Sequence, residues 1–292
     1  MTSTTNNIQI KSLKDIPFRE IADAFLNAFS DYGLTLDDKA LHDMFTRRGA
    51  CFEMSAGAFV DNRMVSFIIN GTGCFNGLRT AYDTGTGTVK EYRGLGLTDR
   101  LFQWCCRNLA DAGIEAYLLE VLQDNAPAVK IYRRQGLEAA REFRCYTAPN
   151  KLLLENIGQT APDGIEICPA SALDLRRYAS FMDFNPSWQN SLDSIERAPD
   201  AFSCFVAKTN NTVAGFGASE TAYGDISLLA VDSKMRRRGI GSALLRRLIE
   251  VNCIDNAKVI NVDESCASLK AFLEEAGFRT SCMQYEMIKR LP

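Results

Sequence analysis

Residues 91–102 read EYRGLGLTDRLF, and residues 234–245 read KMRRRGIGSALL. Each places an arginine and a glycine-bearing turn directly before an apolar helical stripe. A helix N-terminus presents free backbone N–H groups and about half a positive charge. Glycines there let a bulky anion reach the backbone, and successive amides form a nest for phosphate. The chemistry that fits is the grip of a pyrophosphate, with Arg93 and Arg236 adding positive charge beside it. In the first copy Thr88 and Val89 lead in, Arg93, Gly94, Leu95 and Gly96 form the turn, and Leu97 and Thr98 open the helix. In the second, Val231 leads in, Arg236, Arg237, Arg238 and Gly239 form the turn, and Ile240, Gly241 and Ser242 follow. Either Gly-x-Gly alone is explained as often by a tight turn or by close helix packing. Neither copy carries the G-K-[ST] of a Walker loop or the G-x-G-x-x-G of a dinucleotide fingerprint.

Other chemistries find less support. The ten cysteines include no C-x-x-C, and His42 is the single histidine. Such spacing does not build a zinc site, so no metal is expected, and the cysteines read as small apolar fillers in a reduced chain. One histidine also removes most Ser-His and Cys-His mechanisms, and His42 in LHDMF reads as a helix surface position. A net charge of -3 gives no reason to expect nucleic acid or an anionic membrane as partner. The opening MTSTTNNIQIKS has no apolar core, and no apolar run is long enough to span a bilayer, so cytoplasm is the default expectation.

The elements around the turns repeat. Ile21, Phe25, Ala28 and Phe29 share one helical face, and Leu41, Met44 and Phe45 mark a second helix. GAFV-DNR-MVSFII reads as a hairpin, TAYDTGTGTV as an extended strand, and Leu97, Leu101, Trp104 and Cys105 as the stripe of the helix after the glycines. AYLLEVL is a buried strand. Asn125 caps a helix that carries Pro127 in its first turn and ends at Gly136, and EFRCYT closes the half. The second half runs in the same order: FSCFVAK-TNNT-VAGFGAS, DISLLAV, the stripe Ile240, Leu244 and Leu248, VINV, and a helix over 265–276 ended by Gly277. Arg93 and Arg236 are 143 residues apart, Val121 and Val262 141, and Gly136 and Gly277 141. A steady offset over three elements predicts one domain in tandem. The Pro- and Gly-bearing stretch after Pro149 reads as the boundary, giving an N-terminal domain over 1–150, a linker over 151–162 and a C-terminal domain over 163–292.

The pattern strand–[QR]-x-x-G-x-[GA]–helix resembles the acetyl-CoA signature of the GNAT acetyltransferase superfamily. Arg236, Gly239 and Gly241 match it fully; Arg93 and Gly96 match, with Thr98 where Gly or Ala is usual. LEVLQDNAPAVKIYRRQGL is similar to the second signature of that family, with Asn125, Ala128, Tyr132 and Gly136 in its places. The resemblance covers nearly the whole chain, twice. It implies a mixed α/β fold of two tandem GNAT-like domains, each a twisted mixed sheet flanked by helices. It also implies a fourth and fifth strand that splay apart, acetyl-CoA as co-substrate with its pantetheine arm in the gap, and an amine of a small molecule or peptide N-terminus as acceptor.

By the same resemblance Tyr132 is the acid that meets the leaving thiolate, and the first half is expected to catalyse. The second half has Cys266 for Asn125 and Leu273 for Tyr132, so it lacks that acid. The base is open between Glu120, on the strand leading to Asn125, and Asp83, on the strand before the glycines. Asp225 stands in the second half where some family members keep a base, which leaves a second active site open. SDYGLTL at 30–36 and PSWQNS at 186–191 stand where the family grips its acceptor. In the latter, Trp188, Gln189 and Asn190 suit a polar, partly flat ligand, or equally a loop anchor with Asn190 or Ser191 as a helix cap. The other reading of the chain is a degenerate tandem that senses acyl-CoA without turnover.

Overall fold

The computed structural model describes residues 8–32, 36–158 and 163–292. Part of the predicted linker, 159–162, and part of the SDYGLTL loop, 33–35, lie outside the described residues. The chain divides into two compact units. The first comprises 1–121, 125–140 and 287–292; the second comprises 122–124 and 141–286.

The first unit opens with β1 (Gln9–Ser12), a strand whose four polar-rich residues give no alternation to read in the sequence. Helices α1 (Phe18–Ala28) and α2 (Asp38–Arg47) follow, and they bury Ile21, Phe25 and Ala28, and Leu41 and Phe45. His42 is exposed on α2, its ring edge-on to Phe18. The predicted hairpin is β2 (Ala56–Val60) and β3 (Arg63–Phe75), turned by Asp61 and Asn62, both in the left-handed region that a tight hairpin turn demands. Then come β4 (Leu78–Thr88), α3 (Leu97–Asp111), β5 (Ala116–Leu122) and α4 (Ala126–Arg134). The strand order is β1-β2-β3-β4-β5, antiparallel until β4 meets β5 in parallel. The core joins α1 and α2 to this sheet through an aromatic cluster of Phe25, Phe45 and Phe67.

The second unit takes up β6 (Glu138–Pro149) from Arg141 on. Helix α5 (Asn150–Asn156) occupies the start of the stretch read as linker. After it come β7 (Ile165–Ala170), α6 (Leu192–Arg197), β8 (Phe202–Thr209), β9 (Thr212–Glu220) and β10 (Asp225–Val231). The unit continues with α7 (Ile240–Glu250), β11 (Asn256–Asp263), α8 (Ala267–Ala276) and β12 (Arg279–Arg290). Its strand order is β7-β8-β9-β10-β11-β6, with β12 beyond β6. EFRCYT was expected to close the first half. Instead β6 pairs antiparallel with β11, from Phe143↔Asp263 to Pro149↔Asn256. Alternation in the sequence fixes that this segment is a strand; nothing local in it fixes which strand it joins.

The eleven-residue helix α7 turns an apolar stripe to the sheet of this unit. Ile240, Leu244, Leu245 and Leu248 are fully or almost fully buried against β8, β9 and β10. Gly215 and Gly217 on β9 make that approach possible: a Cβ at Gly217 would stand 2.7 Å from Leu248 Cδ1.

Candidate functional site

Both units open a gap at the same place. β4 and β5 pair only from Thr80↔Ala116 to Tyr82↔Leu118, and β10 and β11 only at Asp225↔Lys258. Beyond these points the parallel strands diverge, leaving strand edges against which an extended ligand can pair. Just there each preceding strand pair carries a bulge. Thr84 is skipped between Ile69↔Gly85 and Asn70↔Asp83, and Ser227 between Ser219↔Ile226 and Ala218↔Leu228. Thr84 and Ser227 are 143 residues apart, the offset of the glycine turns. A bulge bends its strand and frees the extra residue from the ladder, which is what a splay needs. In the first unit Arg48 Nη1 donates to the freed Thr84 carbonyl at 3.0 Å. Arg48 ends α2, so no local pattern in the sequence links it to β4.

At the turns, Gly94 and Gly96 have φ of +79° and +70°, and open space surrounds the position of a Cβ on either. In the second copy Arg237 (φ +62°) and Gly239 (φ +80°) hold the same two left-handed places. Gly96 and Gly239 are the N-caps of α3 and α7, and in the first copy the opening amides face a cradle with no side chain near either glycine. Leu97 and Ile240 are each 2% exposed, so what they offer a ligand is their amide alone. Thr98, Gly241 and Ser242 are half-buried on the same first turns; Leu95, Arg237 and Arg238 are exposed.

The two arginines brace the turns. Arg93 Nε donates to the Thr88 carbonyl at 3.1 Å, Nη2 to the Ala28 carbonyl at 3.0 Å, and Nη1 to Asp31 Oδ2 at 3.0 Å. Arg236 Nε donates to the Val231 carbonyl at 3.1 Å, and Nη2 to Asp183 Oδ1 at 2.7 Å. Thr88 and Val231 therefore serve the turns through their carbonyls. Val89 is buried, its N–H bonded to the Val65 carbonyl. The partners Asp31 and Asp183 lie in unrelated local sequence and are not legible from it.

The first unit concentrates titratable groups beside its gap. Asp83 accepts from Thr86 Oγ1 at 2.6 Å, and its other carboxylate oxygen is sealed from solvent with no partner. Burial pushes its carboxyl up to about 6, against the opposing pull of Thr86, the Gly85 amide and Arg48. Glu120 accepts a hydrogen bond from the Tyr82 hydroxyl. Burial and then the Glu120 charge push that phenol well above its ordinary value. Tyr117 donates to Asn70 Oδ1 at 2.9 Å, and Asp83, Cys105 and Tyr132 are all within electrostatic reach of its ring. Asn125 caps α4 as expected, accepting from the Ala128 amide at 3.3 Å. The first turn of α3 is tied to the end of α4: Asp99 pairs with Arg134 and accepts from Gln135 Nε2 at 3.0 Å.

The second unit holds a cavity of about 560 Å³ along its gap, running from Arg236 and Gly239 past Ser227 to Cys266 and Phe272. Ser242 and Glu275, which stand where Asp99 and Arg134 stand in the first copy, line it. Leu273 is fully buried where Tyr132 stands in the first copy. Cys266 is buried at the N-cap of α8, with no side-chain capping bond. Asp183 accepts from Ser268 Oγ at 2.7 Å as well as from Arg236, and so ties the turn to the start of α8. Burial opposes its charge, but these two hydrogen bonds outweigh burial and hold its carboxyl below the ordinary value. Of the PSWQNS loop, Trp188 is buried, Ser191 caps α6, and Asn190 Nδ2 donates to the Ile260 carbonyl at 2.8 Å. Asn190 Oδ1 is buried at the cavity wall with no protein donor.

Among the described residues no cluster of three or more His, Cys, Asp or Glu is arranged to hold a metal, and no helix is long and apolar enough to cross a membrane.

Two family models match the chain: an acetyltransferase (GNAT) family model over residues 18–137, and an acetyltransferase (GNAT) domain model over 200–280. No curated protein sequence matches. Among solved structures, a tandem GNAT protein from the clavulanic acid biosynthesis pathway superposes with a TM-score of 0.74 at 12% identity, over 98% of this chain and 99% of its own. A GCN5-related N-acetyltransferase from Sphaerobacter thermophilus gives 0.69 at 15% identity, over 99% and 97%. One from Kribbella flavida gives 0.60 at 15%, over 98% and 72%. At these identities the superpositions speak for the fold, and the two family models for descent: the chain belongs to the GNAT acetyltransferases and carries two GNAT domains in tandem.

Proposed function

We propose that the chain is an acetyl-CoA-dependent N-acetyltransferase that moves an acetyl group to a primary amine of a small molecule or peptide N-terminus by direct transfer, with chemistry in the first unit. The observation that carries this reading is Asp83. It is a half-buried carboxyl with one oxygen sealed from solvent, raised to about 6, beside the bulge where β4 leaves β5. A carboxylate of that value takes a proton from an ammonium group more readily than an ordinary one and is still ionised at neutral pH. Tyr132, on α4, is the residue we assign as the acid that meets the leaving thiolate.

Acetyl-CoA, when bound, supplies a thioester open to amine attack and a thiolate leaving group. The residues present fit it. The first turn leaves room at Gly94 and Gly96 for a phosphate to reach backbone amides, and the second unit's cavity continues from its turn along the gap. Arg93 and Arg236 keep the turns in shape. The Tyr82 hydroxyl donates to Glu120 on β5, and Arg48 fixes the bulge. Holding the two reactants in register is expected to supply much of the rate.

Asp83→Asn is expected to lower kcat by about 10²–10⁴ and to remove the acid limb of the pH profile near pH 6. Tyr132→Phe should slow transfer, and native mass spectrometry should show both variants still binding acetyl-CoA. Full activity in Asp83→Asn would overturn the assignment of the base.

One observation favours a second reading. The 560 Å³ cavity lies in the unit that has Leu273 where the acid belongs. That unit then binds acyl-CoA without turnover. Bound acetyl-CoA lost in Gly239→Val but kept in Gly96→Val, with no product across a broad amine panel, would make the chain a sensor.

A further inference from the structure

Behind the cavity wall of the second unit two thiols face each other across neighbouring strands. Cys145 is buried on β6 and Cys282 is half-buried on β12, and both are free. β12 lies next to β6 in the sheet. Gln284 Nε2 donates to Cys145 Sγ at 3.4 Å, and residues two apart on a strand share a face, so Cys282 and Gln284 flank Cys145 on the same side. Each thiol lies within interaction reach of the other. Facing positions on adjacent strands lie about 4.5–5.5 Å apart at Cα, within the span a disulfide bridges.

Cys145 also supports the cavity wall. At the break in β11 between Val259 and Val262, Asn261 takes a left-handed φ of +57° and its amide leaves the ladder. Cys145 Sγ accepts that amide at 3.5 Å and approaches Asn261 Oδ1 at 3.7 Å. Asn261 Nδ2 in turn donates to Ser187 Oγ at 3.1 Å. Ile260 and Asn261 both line the cavity.

We propose that Cys145 and Cys282 are a peroxide-oxidisable pair whose disulfide withdraws Cys145 from Asn261 and loosens the cavity wall. The half-buried sulfur reacts first. The Cys282 thiolate attacks hydrogen peroxide, forming Cys282–SOH and releasing hydroxide. Cys145 then gives its thiol proton and attacks that sulfur, forming the S–S bond and releasing water. Two thiols and one peroxide become one disulfide and two waters. The ordering matches the environments. The interaction with Cys145, aided by Ser281, lowers the Cys282 thiol against burial and the Asp124 charge; the same interaction and burial raise Cys145. The disulfide sulfur sits closer to β12, so the Asn261 amide loses its acceptor. The consequence holds for whatever molecule the cavity takes.

The test uses the full chain treated with one equivalent of hydrogen peroxide, alkylated and digested with trypsin. The expected product is peptide 145–151 joined to peptide 280–289, released by dithiothreitol. Hydrogen exchange on the same oxidised sample should be about fivefold faster over 259–262, the worth of one ordinary hydrogen bond. Cys282→Ser should show neither change under peroxide. A linked peptide with unaltered exchange in β11, or peroxide uptake at other cysteines with this pair still alkylated, overturns the proposal.

Discussion

Asp83 is held in place against its own charge. Its carboxyl is raised from 3.8 to about 6 chiefly by burial, so the folded chain binds the proton more tightly than the unfolded one. The linked stability is therefore fully present below about pH 4 and is lost as pH rises through about 6. Asp83→Asn removes the penalty while keeping an acceptor for Thr86. The variant should match the parent in urea midpoint near pH 4 and exceed it at pH 8. An equal difference at both pH values would mean that burial does not raise this carboxyl. Asp83 could be picked from the sequence because an acid stands out in a strand of Thr, Ala and Gly. What pulls against burial could not. Arg48 reaches β4 from the end of α2, and Thr86 becomes a partner only because the Thr84 bulge resets which residues share a face. For the same reason the sequence alone leaves Glu120 and Asp83 level as candidates for the base. Both are strand acids, and only burial and the Tyr82 hydrogen bond distinguish their environments.

At the scale of the element, the two glycine turns are one conformation written with different residues. The left-handed place before the N-cap is Gly94 in one copy and Arg237 in the other. A non-glycine residue there costs about 1 kcal/mol, so Arg237→Gly should stabilise the second unit by about 0.5–1 kcal/mol. Gly96→Ala should destabilise the first by about 1 kcal/mol through the backbone alone, because nothing lies within 4 Å of the added Cβ. Chemical denaturation with separate probes in each unit checks both. A cost at Gly96 well above this would reveal a steric contact the turn does not have. The turns were readable because glycine spacing and a following stripe are local signals. The bulges at Thr84 and Ser227 were not, since threonine and serine in a strand of small residues do not announce a skipped pair. The cavity was hidden as well. Ser242 and Glu275 line it where Asp99 and Arg134 tie the helices in the first copy, a difference with meaning only once α3 and α4 are seen side by side.

For the whole molecule, the repeat and the compact units follow different rules. The repeat read from offsets places 1–150 in one half and 163–292 in the other; packing counts 141–149 with the second unit and 287–292 with the first. Those last six residues are anchored there. Met287 is fully buried, the Leu291 amide donates to the Glu115 carbonyl at 2.9 Å, and Lys289 Nζ donates to the Gln135 carbonyl at 2.6 Å. Burying one such methionine is worth about 1.5–3 kcal/mol, before the hydrogen bonds are counted. A chain ending at Glu286 should therefore lose stability in the unit from which it is most distant in sequence. Hydrogen exchange should quicken over α3 and β5, residues 97–121, while α7 and β11, residues 240–263, keep their protection. The reciprocal cut is harsher. A chain ending at residue 158 lacks both 287–292 and the β11 partner of β6, leaving the edge of 143–149 unpaired and prone to association. It should be recovered as aggregate or as an unfolded monomer. A soluble fragment with the exchange pattern of the intact first unit would instead show that the N-terminal half folds without the strand residues the other end of the chain gives it.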